Sequence, residues 1–295
     1  MSFAEFLQYL VSGITSGSIY GLIGLGFTII YAVTRIINFA QGEFVMLGGL
    51  LSFALADWAG FPLVAAVVVA ILASALVGAI MYLLAIRPAK RASVVSLIII
   101  TIGAAIFIRG IAGEVLGKSF VRPPSFSGDE PISFLGAYVD PQALWIIGVT
   151  LLVTIALHLF LNYTMLGKAL KACAINPVAS SLVGIDPKSM ALVAFALAAA
   201  LGGIGGVVTA PLTSMSYNAG VMLGLKGFVA AAIGGFKSPV AAVAGGLLLG
   251  VVEALAVAIG WGPFTSAYKD AIALLVLLVI LLVRSGRLQE EERAG

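Results

Sequence analysis

The chain has 295 residues, of which 61% are hydrophobic and only 10% are charged, and its formal net charge is +3. Soluble domains are typically about 45–50% apolar and about 25% charged, so this composition excludes a soluble protein and indicates a polytopic membrane protein. The basic residues are spread along the chain, which does not indicate a nucleic-acid-binding surface. No polar stretch is long enough to form its own core, so residues 1–295 are predicted to form a single transmembrane domain.

Nine apolar runs approach the length of about 20 residues that a membrane-spanning helix needs. They are Phe6 to Tyr31, Phe39 to Ala56, Leu63 to Ile86, Val94 to Ile111, Ala143 to Leu161, Met190 to Leu212, Gly220 to Phe236, Val240 to Ile259 and Pro263 to Val283. The last two have the least certain limits. The sequence therefore predicts an all-α membrane protein with eight or nine transmembrane helices.

The distribution of basic residues predicts the orientation, because Lys and Arg concentrate in cytoplasmic loops. With the N-terminus outside and the C-terminus in the cytoplasm, the inner loops receive Arg35, Arg87, Lys90, Arg91, Lys168, Lys171, Lys188, Lys237, Arg284, Arg287 and Arg293. The outer side then receives only Arg109, Lys118, Arg122 and Lys269. The opposite orientation would reverse this bias. The segment from Ala112 to Gln142 is then an outer, proline-rich loop.

Two polar breaks interrupt the apolar pattern at related sequences. The first is Asn38-Phe39-Ala40-Gln41-Gly42-Glu43 before Phe-Val-Met-Leu-Gly, and the second is Asn218-Ala219-Gly220 before Val-Met-Leu-Gly. In the predicted topology the two following helices run in opposite directions, which favours an inverted repeat over a chance match. In such repeats interrupted helices line the transport path. We therefore predict a translocation path that includes Asn38, Gln41, Gly42, Glu43, Asn218 and Gly220.

A polar, basic segment between the fifth and sixth runs predicts a short cytoplasmic helix. Asn176 and Pro177 form a helix start, since Asn caps free N–H groups and Pro suits the first turn. Gly184 supplies a left-handed residue that ends the helix at Val183. Apolar residues, among them Leu182, fall roughly on one face. Such a helix is either a docking element for a partner or an amphipathic loop helix that rests on lipid headgroups.

Two charged residues lie inside late apolar runs. Lys226 and Glu253 are each about 10 Å below the outer surface at 1.5 Å per residue, in spans joined by a tight turn near Ser238-Pro239. An isolated charge at that depth is costly, so an intramembrane ion pair between them is predicted. The alternative is that Lys226 extends to the surface while Glu253 is protonated or faces a cavity.

The chain offers no chemistry typical of an enzyme. Gly235-Phe236-Lys237-Ser238 lacks the spacing of a phosphate-binding loop, and the sequence contains no nucleophile turn. The lone His158 and the lone Cys173 form no metal-ligand cluster. We expect no catalytic residues, no metal and no cofactor.

Three stretches resemble the permeases of branched-chain amino acid ABC importers. They are RIINFAQGEFVMLGG (Arg35 to Gly49), GKALKACAINPVASSLVGI (Gly167 to Ile185) and KGFVAAAIGGFKSPVAAVAGGLLLGVVEAL (Lys226 to Leu255). The likeness covers nearly the whole chain and is greater to the shorter permease of the pair. Gln41 stands where the family usually has His, and Val178-Ala179-Ser180-Ser181 replaces a more acidic sequence.

The resemblance implies a bacterial inner-membrane subunit that acts with a second permease, two cytoplasmic ATPases and a periplasmic solute-binding protein. It also identifies the short helix as the coupling helix that enters an ATPase, with Asn176, Pro177, Ala179, Leu182 and Gly184 as its key residues. The expected function is inward translocation of branched-chain or related amino acids. Urea or short amides are close variants of this substrate. The alternative is a self-contained secondary transporter or channel, which usually needs more buried ionisable residues.

Overall fold

The structure, a computed structural model, describes residues 2–89, 92–134, 136–259 and 270–279. Most of the described chain is helical. The helices are α1 (Phe3–Thr34), α2 (Gln41–Phe53), α3 (Leu63–Met81), α4 (Val94–Val115), α5 (Pro141–Tyr163), α6 (Met165–Ile175), α7 (Pro177–Leu182), α8 (Pro187–Thr213), α9 (Ala219–Ile233), α10 (Pro239–Ile259) and α11 (Asp270–Val279). The π-helical turns Ala54–Trp58 and Tyr82–Ile86 extend α2 and α3.

Six helices in the described residues are long and apolar enough to span a membrane, namely α1, α3, α4, α5, α8 and α10. The prediction of a mostly helical chain with several candidate membrane spans is confirmed. The predicted total of eight or nine transmembrane helices stays a prediction. The predicted runs at Phe39 and Gly220 contain the shorter helices α2 and α9, of 13 and 15 residues. Of the run from Pro263 to Val283, residues 270–279 are described. Lys90, Arg91, Lys269, Arg284, Arg287 and Arg293 lie outside the described residues.

Helix α1 is the centre of the bundle. From Gly13 onward nearly all of its residues are buried, and it packs against α10, α8, α9 and α5. Glycines allow the backbones of α1 and α10 to touch: a Cβ at Gly17 would lie 2.7 Å from the Leu247 Cα. Small residues bring helices together in this way in lipid, where no hydrophobic effect drives helices into contact.

The directions of the helices follow from their residue contacts. Helix α1 runs parallel to α9, since Tyr20 contacts Lys226 and Tyr31 contacts Phe236. Helix α8 runs parallel to α2, since Gln41 bonds to Ala198 while Gly49 packs against Ala210. It runs antiparallel to α1, since Gln41 also packs against Gly26 while Gly205, further along α8, packs against Leu22. Helices α2 and α9 therefore run in opposite directions.

Polar contacts divide the molecule into two ends. At one end the Arg35 guanidinium donates to the Ala174 carbonyl, and Lys171 and Lys237 line a common cavity. At the other end Gln8 pairs with the backbone of Tyr138. We call the first of these the basic end, defined by Arg35, Lys171 and Lys237. This grouping is the one expected if the predicted inner loops lie on one side of a membrane.

The segment predicted as an outer, proline-rich loop, Ala112 to Gln142, contains regular secondary structure. Helix α4 continues to Val115, and a two-stranded antiparallel hairpin pairs β1 (Ile132–Phe134) with β2 (Ala137–Val139). Asp140 then caps α5, whose first residue is Pro141. The chain is mostly helical, as predicted, and this hairpin is a local departure from the all-α prediction, with its turn at Gly136 at φ +84°.

Candidate functional site

The first polar break is an irregular segment that is buried inside the protein. Helix α1 ends at Arg35, which adopts the left-handed conformation, and α2 begins at Gln41. The Phe39 N–H donates to the Thr101 hydroxyl, and the Ala40 N–H donates to the Asn38 side-chain oxygen. Irregular backbone at membrane depth needs such partners, because lipid offers none. Asn38 is fully buried and holds the break together.

Gln41 lies in a contact between three helices. Its Nε2 donates to the Ala198 carbonyl at 2.9 Å, and the side chain fits against Gly26 of α1 and Gly202 of α8. Gly26 is about 12 Å before the end of α1, so α2 starts well inside the bundle. Asn38 and Gln41 were predicted to face a path. In this structure both are instead enclosed by helices, and neither is exposed.

The second polar break precedes α9, and it too is an irregular segment with hydrogen bonds to another part of the chain. Ser214, at φ +58°, follows α8, and Met215 pairs with Val121 through two backbone hydrogen bonds of 2.8 Å. Asn218 at the start of α9 is exposed, whereas Gly220 is buried. A Cβ at Gly42 would lie 2.7 Å from the Gly224 Cα, so the first turns of α2 and α9 meet backbone to backbone. The structure thus brings Gly42 and Gly220 together.

The predicted path residue Glu43 forms an ion pair with Arg109, which was not among the predicted site residues. Arg109 of α4 donates to Glu43 Oε1 from Nη2 at 2.5 Å and from Nε at 3.2 Å. Arg109 was counted among the outer charges, which is wrong because α4 extends beyond Ile111 and Arg109 lies within the helix. A lone Arg inside an apolar run, with one Glu inside another, was the signal that could have found this pair.

Lys226 and Glu253 belong to a network of four side chains, of which Tyr20, Lys226 and Glu253 are buried and Asp270 is half exposed. Lys226 Nζ lies 3.2 Å from Glu253 Oε1 and 2.8 Å from Asp270 Oδ1. The Tyr20 hydroxyl donates to Glu253 Oε2 at 2.9 Å and accepts from Lys226 at 3.2 Å. The predicted partners are therefore in contact, while Tyr20 and Asp270 were not foreseen. The network joins α1, α9, α10 and α11.

The predicted docking helix is present as α7, Pro177–Leu182, one residue shorter than expected. The Asn176 side chain accepts from the N–H groups of Val178 and Ala179, and Gly184 at φ +87° ends the segment. Its apolar side chains point away from the protein: Leu182 is 83% exposed and Val178 is 69% exposed. An apolar face this exposed needs a partner or lipid to cover it.

Helices on both sides hold α7 in place at the basic end. Helix α6, which the sequence analysis did not predict, precedes it, and Asp186 caps α8 after it. The Ser189 hydroxyl and the N–H groups of Lys188 and Ser189 hydrogen-bond to the Asp186 carboxylate, which lowers its pKa. The charged form of Asp186 is therefore favoured as the cap of α8.

Comparisons with known proteins identify the family. The profile of the branched-chain amino acid transport system permease component matches residues 9–281. The chain is 34% identical to the high-affinity branched-chain amino acid transport system permease protein LivH of Escherichia coli, over 95% of this chain and 94% of the relative. The chain belongs to the branched-chain amino acid permease family.

A second relative agrees with this assignment, and a solved structure has a similar fold. The corresponding permease BraD of Pseudomonas aeruginosa is 33% identical over 95% of this chain and 94% of that protein. The fold resembles a chain in the structure of PsaBC from Streptococcus pneumoniae in complex with Fab, with a TM-score of 0.52, 14% identity and coverage of 96% of this chain and 91% of that chain. At this identity the second comparison supports the fold alone.

Proposed function

We propose that this chain is the membrane-spanning permease subunit of an ABC importer that moves branched-chain amino acids into a bacterial cell. The observation that carries the proposal is the similarity to LivH and BraD over nearly the whole of each chain. The chain lies in the inner membrane with its N-terminus outside and its basic end in the cytoplasm. It has no enzymatic activity of its own, and separate ATPases supply the energy.

The exposed apolar face of α7 supports a role for this helix in coupling. Asn176, Pro177, Ala179, Leu182 and Gly184 form a rigid, capped projection at the basic end, the end where an ATPase would bind. The expected complex contains two such ATPases, a second homologous permease and a periplasmic solute-binding protein. The hydrophobic surface is covered by the bilayer and by the second permease.

The meeting point of α2 and α9 supports a transport path built from an inverted repeat. Two short helices of opposite direction start inside the bundle after irregular segments, as in transporters whose broken helices line the path. Glu43, Gly42 and Gly220 lie where these helices meet, and Asn38, Gln41 and Asn218 belong to the breaks.

The decisive experiment reconstitutes the chain in proteoliposomes with the ATPases, second permease and solute-binding protein of the same organism, and measures uptake of labelled leucine, isoleucine and valine. We expect uptake that requires ATP and the binding protein, with matched vesicles lacking the ATPases as the control. Leucine uptake driven by a proton or sodium gradient without ATP would overturn the proposal in favour of a secondary transporter. Uptake of urea or acetamide in place of leucine would overturn the substrate assignment.

A further inference from the structure

A cavity of about 270 Å³ lies at the basic end, where α1, α5, α6 and the start of α10 come together. Part of its wall is apolar, with Val33 of α1, Leu161 of α5 and Leu170 of α6. The polar side chains that line it include His158, Asn162, Lys171, Lys237 and Ser238. Ligand sites typically combine an apolar wall with a few polar groups. The cavity therefore suits a ligand with an apolar part and a negatively charged part.

The two lysines of this cavity have no carboxylate partner among the described residues. Lys171 Nζ donates to the Asn162 side-chain oxygen at 2.5 Å, and Asn162 Nδ2 donates to the His158 carbonyl at 2.7 Å. Because Asn162 is neutral, it holds the Lys171 ammonium without cancelling its charge. An ammonium group has three donors, so two remain for an acceptor in the cavity. The lining of the cavity is therefore positively charged and suited to an anion.

The turn that carries Lys237 is held in place by packing. Gly235 and Phe236 adopt left-handed conformations, at φ +70° and +55°, and the centroid of the Phe236 ring lies 4.7 Å from that of Tyr31. A large residue rarely adopts this conformation unless the surrounding structure requires it. Pro239 begins α10 and also lines the cavity, so the positive end of the α10 dipole lies there too. The positive charge on this side of the cavity therefore belongs to a fixed backbone.

An exposed, apolar face of α5 leads to the cavity. Leu151, Ile155, His158 and Asn162 follow one another at intervals of three or four residues, so they lie along one side of the helix. Leu151 is 60% exposed and Ile155 is 50% exposed, whereas His158 and Asn162 line the cavity. Helix α5 is a candidate membrane span that ends at Tyr163, which puts the cavity at the edge of the membrane. The exposed apolar residues lie deeper in the membrane than the polar ones.

We infer that this cavity binds an anionic phospholipid, with its phosphate at Lys171 and Lys237 and its acyl chains along the exposed face of α5. Lysine binds phosphate as a point charge, and basic pockets between membrane helices bind anionic headgroups. A lipid in the bilayer already has its phosphate at this depth, whereas a soluble anion makes no use of the apolar face. Phosphatidylcholine binds more weakly because its choline cation cancels the charge of the phosphate. The inference goes beyond the proposed function and does not depend on the transported solute.

A double neutral variant tests the two lysines. Native mass spectrometry of the purified full chain in detergent measures the affinities for dioleoylphosphatidylglycerol and for dioleoylphosphatidylcholine, which has the same acyl chains. A lysine near anionic lipid contributes a factor of about five in affinity, so Lys171→Gln with Lys237→Gln should weaken phosphatidylglycerol binding roughly thirtyfold. The matched control is Arg87→Gln with Lys188→Gln, which removes the same charge from exposed residues outside the cavity. Equal affinities of the two double variants for phosphatidylglycerol would overturn the inference.

A further variant fills the cavity and keeps both lysines. Ala174 lines the cavity, and Ala174→Leu puts a larger side chain in its wall. We expect this variant to lose the preference for phosphatidylglycerol over phosphatidylcholine, because the lipid no longer fits between the helices. Ala156→Leu on α5, at an exposed residue that does not line the cavity, is the control and should keep the preference. An unchanged preference in the Ala174→Leu variant would show that the cavity is not the site.

Photocrosslinking of the wild-type chain makes the test independent of folding. Phosphatidylglycerol with a diazirine in its acyl chain is bound and illuminated, and the modified residues are located by mass spectrometry. We expect crosslinks at Leu151 and Ile155 that unlabelled phosphatidylglycerol suppresses and inorganic phosphate does not. Crosslinks spread equally over the exposed faces of α3, α4 and α5 would show that the lipid has no specific site. Suppression by inorganic phosphate would mean that the cavity binds a small soluble anion, and it would overturn the assignment to a phospholipid.

Discussion

At the scale of single residues, the interior contains charges whose partners come from distant parts of the chain. Glu43 pairs with Arg109, and Lys226 contacts both Glu253 and Asp270. A charge buried without a partner in an apolar medium is strongly disfavoured, so each pair constrains which helices can be neighbours. We propose that the Lys226 network is a static brace that joins the late helices to α1.

Charge reversal tests this brace. Lys226→Glu places a third carboxylate beside Glu253 and Asp270, so we expect little assembled complex. Adding Glu253→Lys restores opposite charges and should recover assembly, measured as the yield of co-purified complex. The exposed pair exchange Glu114→Lys with Lys118→Glu is the control and should leave the yield unchanged. A double variant that assembles no better than the worse single variant would show that the pair is not the brace.

Glycine at the crossing of α2 and α9 gives a second prediction at this scale. Gly42→Ala puts a methyl group against the Gly220 carbonyl and 2.7 Å from the Gly224 Cα, where backbone cannot move aside cheaply. Overpacking of this kind typically costs about 1–3 kcal/mol of folding free energy. We expect a lower thermal unfolding midpoint for the purified protein. Gly148→Ala on α5, where a Cβ meets nothing within 4 Å, is the control, and equal midpoints would contradict the predicted crossing.

At the scale of secondary-structure elements, short helices differ from long ones in function as well as in length. The long helices α1, α8 and α10 form the packed frame, whereas α2 and α9 begin inside it after irregular segments. Helix α7 stands outside the frame with its apolar face uncovered. The elements that depart from a simple span are the ones to which we assign the transport path and the coupling to ATPases.

The end of α7 carries a prediction about coupling. Gly184 is at φ +87° in open surroundings, so Gly184→Val is disfavoured by conformation and not by bulk. A left-handed conformation costs most residues roughly 1–2 kcal/mol, and β-branched side chains resist it most. We expect substrate-stimulated ATP hydrolysis to fall several-fold in a complex that still assembles.

The control for the α7 prediction is Gly184→Asn. Asparagine tolerates the left-handed conformation and adds comparable bulk, so this variant should keep coupled hydrolysis near that of the wild-type complex. If the valine and asparagine variants hydrolyse ATP equally, the conformation of residue 184 does not set the position of α7.

At the scale of the whole molecule, the two ends differ in chemistry. Arg35, Lys171 and Lys237 gather at one end, whereas Gln8 and the β1–β2 hairpin lie at the other. The positive-inside rule predicts that the basic end lies in the cytoplasm, the side on which we propose that the ATPases bind. The basic residues that predict the orientation of the chain in the membrane therefore lie at the same end as α7, the proposed coupling helix.

Thiol labelling tests this orientation in a Cys173→Ala background. Single cysteines are introduced at Tyr138, which is 66% exposed near the hairpin, and at Val178, which is 69% exposed on α7. In spheroplasts, a membrane-impermeant maleimide should label only position 138, and permeabilised membranes should allow labelling of both. Labelling of only position 178 in intact spheroplasts would mean that the N-terminus is inside.

The sequence by itself determined the features that depend on local chemistry. Composition and apolar runs specify a helical membrane protein, and Asn176, Pro177 and Gly184 specify a capped helix because caps and left-handed ends act within a few residues. The Lys226–Glu253 contact could be predicted because both residues lie at the same depth in the membrane. Two helices joined by a tight turn bring charges at the same depth close together. The family followed from motifs that are continuous in the chain.

Only the tertiary structure decided which distant residues meet. Arg109 and Glu43 lie in separate apolar runs. The sequence around each residue does not indicate that the Arg109 side chain of α4 contacts the first turn of α2. The start of α2 was decided in the same way: the apolar run begins at Phe39, whereas the helix begins at Gln41 and continues through its π-helical turn to Trp58. Apolar composition continues through each break, but the irregular backbone there is stable only because Thr101 and Val121, from other segments, supply its hydrogen bonds.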